Sequence, residues 1–151
     1  MKRVLVKASI ISLLLAGAAF AVEPAVGVKL GQTPMEVSVA LDVDGYQMSK
    51  FELEGRKIEV RAIKDDQRIY MKLDPQTGEV THLTSRPRGG RTPMGVETTE
   101  LLSSLKSEGY EVEEIERERG RIEAYASRDG ARWELEIDAA TGRTIRAERE
   151  D

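Results

Sequence analysis

Residues 45–82, GYQMSKFELEGRKIEVRAIKDDQRIYMKLDPQTGEVTH, recur 64 positions later, without a gap, as residues 109–146, GYEVEEIERERGRIEAYASRDGARWELEIDAATGRTIR. The identities are Gly45/Gly109, Tyr46/Tyr110, Glu52/Glu116, Glu54/Glu118, Ile58/Ile122, Glu59/Glu123, Ala62/Ala126, Asp65/Asp129, Arg68/Arg132, Asp74/Asp138, Thr77/Thr141 and Gly78/Gly142. Other pairs exchange like for like, among them Met48/Val112, Phe51/Ile115, Met71/Leu135 and Leu73/Ile137. Two charged segments can agree by accident in composition, but accident does not hold turn glycines and apolar positions in one register. The chain is therefore read as two copies of one unit.

Within each copy the pattern after Gly-Tyr alternates. Ile58, Val60 and Ala62, then Ile69, Met71 and Leu73, are interleaved with polar residues; Ile122, Ala124 and Ala126, then Trp133, Leu135 and Ile137, do the same. Period two predicts strands with one wet face. Tyr46 and Met48 fall on one parity and Phe51 and Leu53 on the other, and Tyr110, Val112 and Ile115 repeat the change. Such a slip predicts a bulge in the first strand of each unit. Asp65-Asp66 and Asp129-Gly130 supply hairpin turns. Asp74-Pro75-Gln76-Thr77-Gly78 and Asp138-Ala139-Ala140-Thr141-Gly142 supply tighter ones, in which the aspartate accepts hydrogen bonds from the turn's own amides.

Upstream, Thr33-Pro34-Met35 recurs as Thr92-Pro93-Met94, at a shift of 59 rather than 64. Thr-Pro suits a helix start, with threonine as cap and proline at the first helical position; Glu36 completes a capping box in the first copy. Gly45 and Gly109 suit the left-handed residue that closes a helix. The second copy has an apolar stripe of Thr98, Leu101, Leu102 and Leu105, predicting a helix of about four turns. The valine-rich Met35–Asp44 segment is a weaker helix former, although Val37, Ala40 and Leu41 keep helical spacing. Each unit thus reads as a helix followed by three or four antiparallel strands, an α+β class. Thr84 to Arg91 lacks apolar residues beyond proline and reads as a linker. The boundaries expected are a signal peptide over 1–21, a first repeat over 31–83, a linker over 84–91 and a second repeat over 92–148. Units below about 70 residues rarely build a core alone, so the copies are expected to pack together or to extend one sheet.

The signal expectation rests on Lys2, Arg3 and Lys7, the apolar run Ala8–Ala18 and the small-x-small site Ala19-Phe20-Ala21. The alternative, a retained anchor, is disfavoured by the shortness of that run. Cleavage after Ala21 removes three of the 23 basic residues and none of the 27 acidic ones, taking the net charge from −4 to −7. An acidic surface without aromatic interleaving of its basic residues argues against nucleic acid as a partner. With no cysteine there is no disulfide, no thiol chemistry and no lipid-bearing cysteine. The expected location is the periplasm or the cell exterior, with no stable membrane insertion once the signal is removed.

The groups needed for catalysis are scarce. His82 is the only histidine, it follows a predicted strand end, and it reads as a solvated residue rather than a base or ligand. No G-x-S-x-G elbow and no ordinary zinc ligand set is present. Glu111, Glu113, Glu114, Glu116 and Glu118 form an acidic run. It reads as the wet face of an edge strand, where like charges block pairing, ahead of a calcium site or a docking face for a basic partner. Asp74 and Asp138 read as turn formers rather than functional acids. Tyr46 and Tyr110 are expected to anchor sheet to helix, and Trp133 to lie in the core. No catalytic, cofactor-binding or metal-binding residue is assigned and no cofactor is implied; the residues singled out, Gly45, Tyr46, Asp74, Pro75, Thr77, Gly78, Gly109, Tyr110, Asp138, Thr141 and Gly142, are structural.

A helix, a Gly-Tyr pair, a charged alternating strand and an Asp-Pro-x-Thr-Gly-Glu-Val ending together resemble the PepSY family. The first copy carries Gly45, Tyr46, Glu59, Val60 and Asp74 to Val80; the second carries Gly109, Tyr110, Glu123, Ala124 and Asp138 to Gly142, departing at Ala139, Arg143 and Thr144. The resemblance implies a cystatin-like unit with a helix laid across an antiparallel sheet. It also implies occurrence in peptidase propeptides and envelope proteins, a role in inhibiting or regulating peptidases, and no catalytic residue. The function expected is that of an exported, non-enzymatic module binding another protein, such as a peptidase or envelope protein. The other reading is a periplasmic sensor of a ligand or of calcium.

Overall fold

The structure is a computed structural model that describes residues 23–89 and 95–150; the expected signal peptide and the tripeptide Thr92-Pro93-Met94 lie outside them. The element order is α1 (Pro34–Val43), β1 (Gln47–Glu54), β2 (Lys57–Lys64), β3 (Gln67–Leu73), β4 (Val80–Pro87), α2 (Thr98–Ser107), β5 (Glu111–Glu118), β6 (Arg121–Arg128), β7 (Ala131–Asp138) and β8 (Thr144–Glu150). Each unit is one helix followed by a four-stranded antiparallel meander. The two meanders join into one eight-stranded sheet of order β4-β3-β2-β1-β5-β6-β7-β8.

Local chemistry sets the helix ends. The Thr33 hydroxyl accepts from the Glu36 amide at 3.3 Å, and the Glu36 carboxylate accepts from the Thr33 amide at 3.3 Å and the Gln32 amide at 2.8 Å, so the capping box is complete. At the other end Gly45, at φ 76°, donates to the Asp42 carbonyl while Tyr46 donates to that of Leu41. Gly109, at φ 89°, and Tyr110 repeat the arrangement on Lys106 and Leu105. Both helices therefore close in a Schellman motif that points the tyrosine back into the core.

The helices correct one expectation. α2 begins at Thr98, capped by Glu97 with no side-chain hydrogen bond, and spans ten residues rather than four turns. Pro34 to Thr98 is a shift of 64, the same register as the strands, so the Thr-Pro-Met pair at a shift of 59 does not mark equivalent helix starts. The reason lies just upstream of α2. The Val96 amide donates to the Ala139 carbonyl at 2.9 Å, and Gly95, at φ 137°, lies against that same carbonyl. This contact keeps the chain extended as far as Glu97. Its repeat equivalent, Gly31, also has positive φ, at 127°.

A second correction concerns residues 84–87. The expected linker begins inside β4, where Thr84, Ser85, Arg86 and Pro87 pair with Tyr70, Ile69, Arg68 and Gln67. Proline is tolerated because β4 is an edge strand, with no neighbour needing its missing N–H. The predicted bulges are present: the β1–β2 register shifts between Met48 and Lys50, and the β5–β6 register between Val112 and Glu114. Each moves the residues before and after it onto the same buried face.

That face carries both helices and one continuous core. Leu41 and Leu105, repeat equivalents, are fully shielded, as are Met48, Ile58, Val60, Ala62, Met71 and Leu73 from one unit and Ile122, Ala124, Ala126, Leu135 and Ile137 from the other. Burying each large aliphatic side chain contributes about 2 kcal/mol. Small polar residues let the helices approach: Ser38 Oγ lies 2.5 Å from Thr99 Oγ1, and the Thr98 hydroxyl donates to the Met48 carbonyl at 2.6 Å, tying α2 to β1 of the other unit.

Candidate functional site: two clefts beside the central seam

The two units meet where β1 runs antiparallel to β5, and the seam is short. Its ladder consists of Lys50↔Glu116 and Phe51↔Ile115. Phe51 and Ile115 are repeat equivalents, so a pseudo-twofold axis passes between them. The next pair demanded by that axis is Glu52 opposite Glu114, the counterpart of Lys50 opposite Glu116. This pair does not form, and no cation stands at Glu114 to match the one that Lys50 supplies to Glu116. The acidic run thus lies on a strand flanked on both sides, β1 and β6, rather than on the edge strand expected from its charge.

Lys50 is the centre of the seam. It is only 8% exposed, and its ammonium lies 2.5 Å from Glu52 Oε2 and 3.2 Å from Glu116 Oε2, while Arg61 reaches Glu116 Oε1 at 3.1 Å. Burial, the largest single influence, pulls the Lys50 pKa down; the hydrogen bonds and charges of Glu52 and Glu116 together outweigh it, and the net shift is upward.

On either side of the two-pair ladder β1 and β5 part, leaving two clefts related by the pseudo-twofold axis. The first, about 580 Å³, lies between the C-terminal half of β1 and the start of β5, at the N-terminus of α1 and the C-terminal part of α2. Phe51, Leu53, Ile58, Met35, Leu102 and Val112 line it, and Glu111, Glu113, Glu114 and Lys106 bound it. Leu53 is 52% exposed, one of few large apolar side chains so open among the described residues. The second cleft, about 400 Å³, lies between the end of β5 and the start of β1, and Lys50, Arg61, Arg68, Arg117 and Arg119 line it with Glu116 and Glu118.

Arg117 is the repeat equivalent of Leu53. Its guanidinium donates to the Val96 carbonyl and, at 3.5 Å, to that of Ala139. Burial pulls its pKa below the ordinary guanidinium value, with the Glu97 charge opposing. One cleft is thus partly filled by an arginine from its own wall, and its partner is left open beside a leucine.

The residues singled out from the sequence lie away from these clefts, with few exceptions. Asp74 Oδ1 accepts from the Gln76 and Thr77 amides at 2.7 and 3.2 Å; Asp138 Oδ1 accepts from the Ala140 and Thr141 amides at 3.0 and 2.8 Å and from the Thr141 hydroxyl at 2.8 Å. The Thr141 hydroxyl is the leading reason that the Asp138 carboxyl titrates below the ordinary aspartate range. The Gly78 and Gly142 amides donate to the carbonyls of Asp74 and Asp138, both at 2.8 Å. Tyr46 and Tyr110 are buried, under Lys64 at 5.0 Å and Arg128 at 4.5 Å from the ring centres. Only Pro75 and Tyr110 reach the open cleft. Trp133 is half-buried, edge-on to Tyr110 at 6.2 Å, on the rim of the core rather than inside it. His82 is exposed, its ring nitrogen 3.1 Å from the Thr84 hydroxyl. Among the described residues no group of three or more His, Cys, Asp or Glu is placed to hold a metal, and no helix is long and apolar enough to cross a membrane. Lys50, Leu53 and Arg117 were not singled out by sequence reasoning. The signal that could have found them is their failure to match in the repeat: lysine against Glu114, and leucine against arginine.

Among curated proteins none matches the chain. Among solved structures, a putative lipoprotein from Clostridium difficile 630 is similar at 15% identity, over 79% of this chain and 94% of that one, with a TM-score of 0.41. The YpeB C-terminal domain of Bacillus megaterium is similar at 12% identity, over 85% of this chain and 68% of that one, with a TM-score of 0.33. The family described as "Peptidase propeptide and YPEB domain" matches residues 5–84 and again residues 91–148, nearly the whole chain in two segments that agree with the two structural units. The chain belongs to the PepSY family.

Proposed function

We propose that this protein is an exported, non-enzymatic module that binds another protein and regulates or inhibits it, the partner being a peptidase or an envelope protein. The observation that carries the reading is the double match to a family of peptidase propeptide domains. The form of the molecule supports it. Propeptide-type modules act by occupying a partner's surface, which needs a rigid scaffold with accessible edges and clefts rather than a set of reacting groups. The eight-stranded sheet offers two edge strands, β8 and, beyond Val80 where residues 27–29 pair with it, β4, and an open cleft beside its seam. The residues singled out in the repeats, Gly45, Tyr46, Asp74, Pro75, Thr77, Gly78 and their equivalents, shape turns and caps in this reading and take no part in chemistry. The N-terminal pattern of positive, apolar and small residues supports a periplasmic or secreted location.

The test is crosslinking in the cell envelope followed by activity measurement. The expected result is a specific captured protein, with a peptidase among the candidates, whose activity changes when purified protein is added back. Recovery of no protein partner, together with a tight small-molecule or calcium ligand by calorimetry, would overturn the reading.

A further inference from the structure

We infer that the open cleft beside the seam is a docking site for an extended segment of a partner protein that places an apolar side chain on Leu53 and a lysine or arginine beside Glu114. The inference rests on the proposed protein-binding function and names the surface and the chemistry of the segment it takes.

The argument is a comparison of two places that the fold makes equivalent. In the second cleft the chain supplies a partial occupant of its own: Arg117 lines the wall, its guanidinium bonded to the carbonyls of Val96 and Ala139. In the first cleft the same backbone position carries Leu53, which reaches neither the core nor a partner and stays 52% exposed over a floor of Phe51, Ile58 and Met35. An open apolar side chain in a recess of about 580 Å³ is unsatisfied surface of the kind that binding covers.

The charges make the same comparison. Lys50 neutralises Glu52 and Glu116 on one side of the axis. On the other side its equivalent is Glu114, so that position carries an anion where its mate has a cation. Among the described residues no basic side chain forms an ion pair with Glu111, Glu113 or Glu114, although Lys106 stands at the rim. A lysine or arginine from outside, entering where β1 and β5 separate, would restore the charge pattern that Lys50 provides opposite. An extended segment fits the geometry, because the gap is bounded by two strands that have no ladder across it, and alternate side chains of such a segment would meet the apolar floor and the acidic rim. An acidic ligand would be repelled.

The probe is a fluorescein-labelled peptide alternating leucine with lysine and arginine, titrated with the full chain and read by anisotropy. Saturable binding is expected, weakening as salt rises. Leu53→Arg, which copies the second cleft, and the double variant Glu113→Lys with Glu114→Lys are each expected to weaken it about tenfold or more, with thermal unfolding not lowered. The inference is overturned if a peptide with glutamate in place of its basic residues binds equally, if Leu53→Arg leaves the affinity unchanged, or if no saturable binding occurs. It is also overturned if sedimentation shows dimers that Leu53→Arg dissolves, since the occupant is then a second copy. A photo-crosslinker at position 53 separates this inference from the wider proposal: a partner captured only at β4 or β8 removes the cleft and leaves the protein-binding function, whereas peptide binding without any protein partner does the reverse.

Discussion

Replacing Gly78 with alanine and, separately, its repeat equivalent Gly142 with alanine measures how firmly the chain before α1 is locked to the sheet. The two glycines occupy the same turn at φ 71° and 72°, so each alanine meets the same left-handed penalty, about 1–2 kcal/mol, eased by up to about 1 kcal/mol through the stiffer unfolded chain. They differ in what a new methyl group meets. At Gly142 the nearest atoms belong to the Val96 side chain, at 3.3 to 3.5 Å, which can adjust. At Gly78 they are backbone atoms of Gly31, its carbonyl carbon and oxygen at 2.6 Å and its Cα at 2.9 Å. Relieving that overlap moves the Leu30–Gly31 segment, whose amides donate to the Gly78 carbonyl at 3.0 and 3.4 Å, and with it the capped start of α1. Overpacking against backbone adds about 1–3 kcal/mol. The expected destabilisation is therefore centred on about 1 kcal/mol for Gly142→Ala and about 3 kcal/mol for Gly78→Ala. Urea unfolding followed by far-UV circular dichroism gives both values, and the change in midpoint at constant slope isolates stability. Equal losses at the two sites would refute the claim that the Gly31 contact fixes the first unit's entry.

The seam and the caps give the other expectations. Lys50→Ala leaves Glu52 and Glu116 facing each other, but their side chains are 40% and 34% exposed and rehydrate, so a loss of about 1–2 kcal/mol in chemical denaturation is expected, smaller than for a fully buried pair. Because the folded Lys50 pKa lies above the ordinary value of 10.5, its contribution is complete below that pH and is lost as pH rises through the folded value; the stability gap between wild type and Lys50→Met should be constant below it and close only there. Glu36 and Asp138 titrate below 4.5 and 3.8, Glu36 chiefly through the Gln32 amide and Asp138 chiefly through the Thr141 hydroxyl. Their contributions are therefore present above those values and fade as pH falls through the lower folded ones, and Glu36→Gln with Asp138→Asn should flatten the acid limb of a stability-versus-pH curve. Thr33→Ala should cost about 1 kcal/mol, and less in a Glu36→Gln background if the capping box is reciprocal, a coupling that a double-mutant cycle reads directly.

Much of this architecture is legible in the residues because it depends on period. The alternation of Ile58, Val60 and Ala62, and the parity slip between Met48 and Phe51, are local statements about which face a side chain takes, and strands and bulges follow from them. Three features depend on something other than local pattern. Residues 84–87 pair as strand because β3 offers a long partner, which no alternation in Thr84-Ser85-Arg86-Pro87 announces. The Thr-Pro-Met repeat misleads because α2 starts only where the Val96–Ala139 contact releases the chain. The glutamates of β5 look like an edge because charge normally marks edges, whereas here Lys50 and Arg61, from the other unit, make Glu116 tolerable at the centre. The open cleft was the least legible, since it exists only where a ladder fails to form.

That failure joins the fold to its proposed use. A strictly symmetric duplication would place the same residues on both sides of the Phe51–Ile115 axis, and the two clefts would open or close together. Two exchanges break the symmetry. Leucine in place of arginine at position 53 removes the plug that Arg117 provides opposite. Glutamate in place of lysine at position 114 removes the cation that Lys50 supplies opposite, on the side where β1 and β5 carry no further pair. Neither change threatens the fold, because the units are also joined through Ser38 and Thr99, through Thr98 on Met48, and through a core to which both helices contribute. The seam can thus lose half of its potential ladder on one side without the halves parting. A duplicated scaffold with a redundant interface is free to fill one copy of a cleft in part with its own arginine and leave the other available to a partner.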